Sequence, residues 1–132
     1  MCALRILVAE PHLEFRTRLR NLLLESRPDV VVWDDVQDGT DLVEKARQLR
    51  PDLIVTEYSL PVVNGIEAAE LIHQSNPDVP ILLISLHQSP EWLAQAKATG
   101  LSGHVPKTEL ADKLVRAIEV ICDGGTFFPE PD

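Results

Sequence analysis

Several features are scarce in this sequence of 132 residues, and each scarcity excludes a class of protein. Only Cys2 and Cys122 are cysteines, and they provide neither the spacing of a metal site nor a disulfide framework. No apolar run approaches the roughly 20 residues that a membrane-spanning helix needs. The first nine residues fit a strand better than a signal peptide. We therefore expect a soluble cytoplasmic protein with reduced thiols and no membrane partner.

Basic residues are also scarce, since 12 Lys and Arg stand against 21 Asp and Glu, which gives a net charge of −9. Nucleic-acid binding needs clustered basic side chains that neutralise phosphates. We therefore expect no direct nucleic-acid contact through this chain. The four histidines are scattered without ligand spacing, so a shared metal site among them is not expected either: they are His12, His73, His87 and His104.

Apolar strand-like runs alternate with helix-like patterns five times along the chain. The predicted strands are 5–9, 30–36, 52–58, 80–86 and 101–105, and the predicted helices are 13–26, 41–50, 65–75, 90–99 and 108–123. Continuous apolar strands joined by helices predict a doubly wound α/β domain, with a parallel five-stranded sheet covered on both faces. Gly100 is a candidate left-handed cap and Thr108 a candidate N-cap. Residues 1–123 form the predicted domain, and 124–132 a cap followed by an extended tail.

Polar side chains stand at the carboxyl ends of four predicted strands, where sheets of this kind bind ligands. Glu10 follows the first strand, Glu57 ends the third, Ser85 ends the fourth and Lys107 follows the fifth. Two carboxylates, one hydroxyl and one amine would converge on one crevice. Such a set can hold a phosphoryl group, with the carboxylates carrying Mg²⁺.

Three segments carry a resemblance to a known family: 51–61 (PDLIVTEYSLP) with Asn64-Gly65, 84–87 (ISLH) and 103–107 (GHVPK). Over almost its whole length the chain resembles the receiver domain of bacterial two-component response regulators. Its ending, 117–128, is similar to receivers that precede a helix-turn-helix output domain of the NarL/LuxR type. The resemblance implies a flavodoxin-like fold of strand order 2-1-3-4-5, a histidine kinase or other signalling protein as partner, and a tail that leads toward an output domain outside this chain.

The chain departs from the family pattern at the positions that matter for phosphate chemistry. Glu57 stands where the family has its phosphate-accepting aspartate. Glu10 is retained, but Pro11 replaces the second acid that binds magnesium. The hydroxyl and lysine positions are retained as Ser85 and Lys107, whereas His104 replaces a switch aromatic residue on the fifth strand.

These departures argue against ordinary phosphorylation. Mg²⁺ demands near-ideal octahedral oxygen geometry, so we expect no cofactor, or only weak Mg²⁺ at Glu10 and Glu57. The additional methylene of glutamate displaces the reactive oxygen, and an error of about 1 Å can cost about 100-fold in rate. We hypothesise that Glu57 pairs with Lys107 and holds an atypical receiver domain in one fixed state. We expect this domain not to be an enzyme. The alternatives are a receiver that is still phosphorylated, and a small enzyme on the same fold, for which we find no nucleophile elbow or glycine-rich phosphate loop.

Each crevice residue also has a purely structural interpretation. Glu57 can be a solvated carboxylate at a strand end, and Glu10 can be either a cation ligand or a surface acid. Ser85 can satisfy a local backbone group. Lys107 can simply neutralise the two acids.

Two further features leave alternatives open. His104 is either a pH-sensitive switch or a partly exposed strand residue without a role. Four charged residues on the first and last helices are either solvated or meet across the two-fold axis of a homodimer. They are Arg16 and Arg20 on the first helix, and Asp112 and Glu119 on the last.

Overall fold

A computed structural model describes residues 4–86 and 90–128, and the structural statements below concern these residues. Five parallel strands form one sheet in the order β2-β1-β3-β4-β5, which confirms the predicted fold class and strand order. The strands are β1 (Leu4–Ala9), β2 (Val30–Val36), β3 (Leu53–Glu57), β4 (Ile81–Ser85) and β5 (Gly103–Pro106). The chain order reverses between β1 and β3, so a crevice opens beyond the carboxyl ends of these two strands.

Five helices connect the strands and cover both faces of the sheet. They are α1 (Leu13–Ser26), α2 (Gly39–Leu49), α3 (Gly65–Ser75), α4 (Pro90–Ala98) and α5 (Leu110–Cys122). Because successive strand side chains point to opposite faces, the core has two halves. Ile6 and Val8 pack with α1 and α5, whereas Leu7 and Ala9 pack on the side of α2, α3 and α4. All residues of β3 and β4 are buried, as their continuous apolar sequence predicts for central parallel strands.

Three predicted boundaries were wrong by a few residues. Helix α2 begins at Gly39 and not at residue 41, because the Asp38 side chain accepts a hydrogen bond from the Asp41 backbone N–H and caps the helix. Strand β5 covers 103–106 and not 101–105, since its pairing with β4 begins at Gly103 opposite Leu82. Thr108 is not an N-cap, because it lies inside a single 3-10 turn that precedes α5.

The segment 124–128 continues the sheet. Gly124 is left-handed with φ 88°, and Gly100, the predicted cap, is left-handed with φ 84°. The Phe127 backbone N–H donates to Ser102 O at 2.9 Å, and the His104 N–H donates to Phe127 O at 2.8 Å. Phe127 thereby forms a parallel bridge with Gly103 at the outer edge of β5.

Both phenylalanines of this segment contact the core. Phe127 packs on the α1 and α5 side, and Phe128 on the opposite side, where Lys97 Nζ lies 5.2 Å from its ring centre. Packed structure therefore extends beyond residue 123, at which the sequence placed the end of the domain. Residues 129–132, like Cys2 and His87, lie outside the described residues.

Within residues 4–86 and 90–128, no helix has the length and apolar character that crossing a lipid bilayer requires.

Candidate functional site

Three of the predicted crevice residues form a buried ionic cluster. Lys107 Nζ lies 2.8 Å from Glu10 Oε2 and 3.5 Å from Glu57 Oε1. The three residues are exposed by only 3%, 0% and 7%. The expected contact between Lys107 and Glu57 is present, but the shorter contact joins Lys107 to Glu10. One ammonium group is therefore shared by two buried carboxylates, Glu10 more closely than Glu57.

Local backbone structure fixes Glu10 and Lys107 in this arrangement. Glu10 follows β1, and its second oxygen, Oε1, accepts a hydrogen bond of 3.0 Å from the His12 backbone N–H. Lys107 begins the 3-10 turn after β5, and its ammonium lies 4.4 Å from the centre of the Phe15 ring. At this distance the cation and the ring face attract each other. Phe15 of α1 is therefore part of the crevice, and no polar signal in the sequence could have identified it.

Glu57 is less completely compensated than Glu10. Burial raises the pKa of the Glu57 carboxyl, Lys107 opposes this shift, and the Glu10 carboxylate adds to it. The Ser59 backbone N–H interacts with this carboxyl and lowers its pKa, but the buried Oε2 atom has no hydrogen bond of standard geometry within the described part of the chain. The structure thus places Glu57 in the crevice, and its interpretation as a solvated carboxylate does not fit this burial.

The crevice above the cluster is open and mostly apolar. It has a volume of about 700 Å³, and Glu57 and Lys107 lie at its base. Its other lining residues are Pro11, His12, Phe15, Ser59, Leu60, Pro61 and Leu86. Leu86 is 65% exposed, so this wall meets solvent.

The cluster is a poor match for a divalent cation. Mg²⁺ takes six oxygen ligands at about 2.0–2.1 Å, whereas the Lys107 ammonium already lies between the two acids. Pro11 lines the crevice but offers no side-chain oxygen. Among the residues that the structure describes, no group of three or more His, Cys, Asp or Glu side chains could hold a metal ion.

The loop between β3 and α3 is held close to Glu57. The Asn64 side chain accepts from the Glu67 N–H, and Glu67 in turn accepts from the Asn64 N–H, which forms a capping box at the start of α3. The Gly65 N–H donates to Tyr58 O at 2.7 Å. A Cβ at Gly65 would lie 2.6 Å from the Glu57 carbonyl oxygen, so only glycine fits here without a shift.

Ser85 and His104 are the other two predicted crevice residues, and both are fully buried. Ser85 ends β4, is fully buried and pairs in register with Pro106. His104 is fully buried, so the interpretation of a partly exposed residue was wrong. The ring of Trp92 covers it at a centroid distance of 4.7 Å, and Tyr58 packs on Trp92 at 5.3 Å. The contact between Trp92 and His104 could not be predicted, because nothing in the pattern of α4 reveals a neighbour on β5.

Burial also governs the chemistry of His104. It lowers the pKa of this imidazole to about 4, against an ordinary value of 6.5, and Glu109 opposes the shift. Neither ring nitrogen has a hydrogen-bond partner among the described residues. His104 is therefore a neutral aromatic residue at neutral pH.

The charged residues predicted for a dimer face lie on two helices that pack side by side. Arg16 and Arg20 are half-buried on α1, whereas Asp112 and Glu119 are exposed on α5. Arg20 Nη1 lies 3.4 Å from Asp34 Oδ1 of the same chain. Arg20 thus has an acidic partner within its own chain, and the dimer face stays a prediction.

Comparison with known proteins identifies sequence and structural relatives. The family model described as "Response regulator receiver domain" matches residues 6–119. Transcriptional regulatory protein DegU of Brevibacillus brevis is 32% identical over 124 residues, which are 94% of this chain and 52% of that protein. The chain therefore spans about half the length of this relative. One further match, the protein-glutamate methylesterase/protein-glutamine glutaminase of Idiomarina loihiensis, is 33% identical over 78% of this chain but only 27% of its own length.

Two solved structures illustrate the structural likeness. A two-component response regulator of the LuxR family from Aurantimonas sp. SI85-9A1 superposes with a TM-score of 0.88 at 32% identity, and the match covers 95% of this chain and 89% of that one. The signal receiver domain of the putative response regulator NarL from Mycobacterium tuberculosis gives a TM-score of 0.85 at 25% identity, over 94% and 99% of the two chains.

Proposed function

Because this chain belongs to the response regulator receiver domain family, we propose that it is an atypical receiver, which relays a signal by its conformation, by dimerisation or by partner binding, without ordinary aspartyl phosphorylation. The observation that carries the proposal is the buried cluster of Glu10, Glu57 and Lys107. Its partners would be a histidine kinase or another signalling protein, and a transcription-regulating output domain.

Glu57 is poorly suited to act as the group that attacks phosphorus. A carboxylate attacks a phosphorus atom only when it is ionised and correctly aligned. Glu57 reaches one methylene further into the crevice than an aspartate would, and burial raises its pKa. The additional methylene misaligns its oxygens for in-line attack, and burial disfavours the ionised form that attack requires.

The crevice is also poorly suited to hold the divalent metal ion that phosphoryl transfer requires. Phosphoryl transfer needs metal ions that neutralise charge on the transferring group, and Glu10 with Pro11 provides one carboxylate where the family provides two. Glu10 is moreover engaged at 2.8 Å by Lys107. The chain thus supplies an internal cation where the phosphate chemistry would need a divalent one.

Lys107 holds the crevice in one arrangement. In a receiver that accepts phosphate, the lysine has a phosphoryl group to bind. Here Lys107 is fully engaged by the chain's own carboxylates, and its side chain is only 2% exposed. The domain therefore rests in one arrangement of the crevice without any modification.

The test compares the natural chain with a variant whose acids are restored. Pro11→Asp with Glu57→Asp rebuilds the acid pair and the shorter acceptor. Both proteins are incubated with a small acyl phosphate and Mg²⁺, and their intact masses are measured. We expect a Mg²⁺-dependent phosphoryl adduct on the double variant and none on the natural chain.

An adduct on the natural chain, lost in Glu57→Gln and kept in the exposed control Glu70→Gln, would establish the alternative of a phosphorylatable receiver. That alternative is favoured by the retention of Ser85 and Lys107 at the hydroxyl and amine positions. Absence of an adduct from a folded double variant would show that features other than Pro11 and Glu57 block the chemistry.

A further inference from the structure

One carboxylate at the base of the crevice is only partly satisfied by the fold. Lys107 and the Ser59 backbone N–H interact with Glu57, but its Oε2 atom is buried without a hydrogen bond of standard geometry among the described residues, and Glu57 lines the crevice. A buried carboxylate oxygen without a donor is unfavourable. A ligand that donates a hydrogen bond to it would therefore be stabilised.

The charge of the cluster determines which donor is favoured. When all three groups are ionised, the two carboxylates of Glu10 and Glu57 and the ammonium of Lys107 sum to one negative charge. The cluster is at most 9% exposed, so solvent screens this charge weakly. A cationic donor is consequently favoured over a neutral donor, and an anion is disfavoured.

The apolar walls of the crevice determine which kind of ligand can carry the cationic group. Phe15, Leu60, Pro61 and Leu86 form an apolar lining around the cluster. Mg²⁺ keeps several water molecules when it binds proteins, and apolar walls give those waters no partners. Small-molecule sites are typically mostly apolar pockets of about 300–1,000 Å³ with a few oriented polar groups, and the volume of about 700 Å³ falls in this range.

We propose that this crevice binds a small organic cation, in which a primary ammonium or amidinium group contacts the Glu57 carboxylate and an aromatic or branched aliphatic body packs against Phe15, Leu60 and Leu86. This site goes beyond the proposed receiver function. It depends on the shape and charge of the crevice and not on whether Glu57 accepts phosphate, so each proposal can fail without the other.

The experiment is an amide NMR titration of the whole chain with 2-phenylethylamine. We expect saturable shifts at His12, Leu60, Leu86 and Lys107, with a Kd of about 1 mM or tighter for a ligand of this size. Two matched probes separate the contributions: 2-phenylethanol lacks the charge, and methylamine lacks the aromatic body. We expect both to bind at least tenfold more weakly.

Two variants locate the site. Glu57→Gln keeps the side-chain size and should weaken 2-phenylethylamine about tenfold or more, because a hydrogen bond to a charged group is lost. Leu86→Ser removes part of an exposed wall, leaves the buried core intact and should also weaken binding. Glu70→Gln, an exposed acid on α3, should leave the affinity unchanged. Absence of saturable shifts, equal binding of 2-phenylethanol or methylamine, or an affinity unaffected by both crevice variants would each overturn the proposal.

Discussion

At the scale of single residues, the positions of the site residues could be predicted from strand ends, but their partners could not. Glu10, Glu57 and Lys107 were placed in one crevice because the carboxyl ends of parallel strands share an edge of the sheet. That Glu10 and not Glu57 holds Lys107 most closely depends on the His12 backbone N–H, which fixes the Glu10 side chain. A contact of this kind arises from the local loop conformation and leaves no periodic signal in the sequence.

His104 makes stability dependent on pH in a specific window. Its pKa is about 4 in the folded chain and about 6.5 when the chain is unfolded. Between these values the unfolded chain takes up a proton that the buried ring does not. The contribution of neutral His104 to the free energy of unfolding is therefore fully present above about pH 6.5. It is lost, by up to about 3 kcal/mol, as the pH falls toward 4. Urea unfolding at pH 7 and pH 4.5 measures this loss.

His104→Phe is the matched control for this prediction. The phenyl ring keeps the edge-to-face contact with Trp92 and removes the two ring nitrogens that lack partners among the described residues. We expect its free energy of unfolding to fall less between pH 7 and pH 4.5, since the titrating carboxylates are common to both proteins. Equal losses in the two proteins would show that His104 is not protonated on unfolding in this range.

At the scale of elements, the five helices and five strands were predicted because buried central strands and amphipathic helices differ strongly in periodicity. The ends of α2, β5 and α5 were predicted less well. They are decided by single hydrogen bonds such as that from the Asp41 N–H to Asp38. The docking of Phe127 on β5 was not predicted, because one bridging residue has no pattern.

The loop between β3 and α3 contains a strained residue. Val62 has φ 71°, a left-handed conformation that is unfavourable for a β-branched residue, and its side chain is 83% exposed. Relief of about 1–2 kcal/mol of strain exceeds the entropic cost of glycine of about 0.5–1 kcal/mol. We therefore expect Val62→Gly to raise the free energy of unfolding by roughly 0.5–1 kcal/mol, measured by urea titration.

The same substitution in a strand provides the control. Val31 lies on β2, is 41% exposed and has no positive φ. Val31→Gly should lower the free energy of unfolding by about 1 kcal/mol, because glycine weakens strands. If both substitutions destabilise to the same extent, the left-handed conformation of Val62 carries no strain.

At the scale of the whole molecule, the segment 125–128 is an integral part of the folded unit. Three backbone hydrogen bonds and the packing of Phe127 and Phe128 attach it to the domain, and one of these bonds runs from the Gly125 N–H to Val120 O at 2.9 Å. A Cβ at Gly103 would lie 2.5 Å from Phe127 O, so the close approach requires glycine at that position. The chain therefore leaves the receiver domain beside β5, the strand that leads to Lys107.

Two truncated chains measure the contribution of this segment. A chain that ends after Gly124 should be less stable than one that ends after Phe128 by about 2–3 kcal/mol, through lost apolar burial and three lost hydrogen bonds. Chemical unfolding of the two proteins gives this difference directly. If their stabilities agree, the segment contributes nothing to the fold, and residue 123 is the true end of the domain.

The bridge at Phe127 also determines how the sheet can meet other sheets. An open sheet has two outer strands whose unpaired backbone groups can recruit strands of other molecules and start aggregation. Along β2 this growth is opposed by the charges of Asp34 and Asp35. Along β5, which has no charged residue, Phe127 already occupies the backbone groups of Ser102 and His104. The bridge at Phe127 thus also opposes polymerisation of the domain through its own sheet.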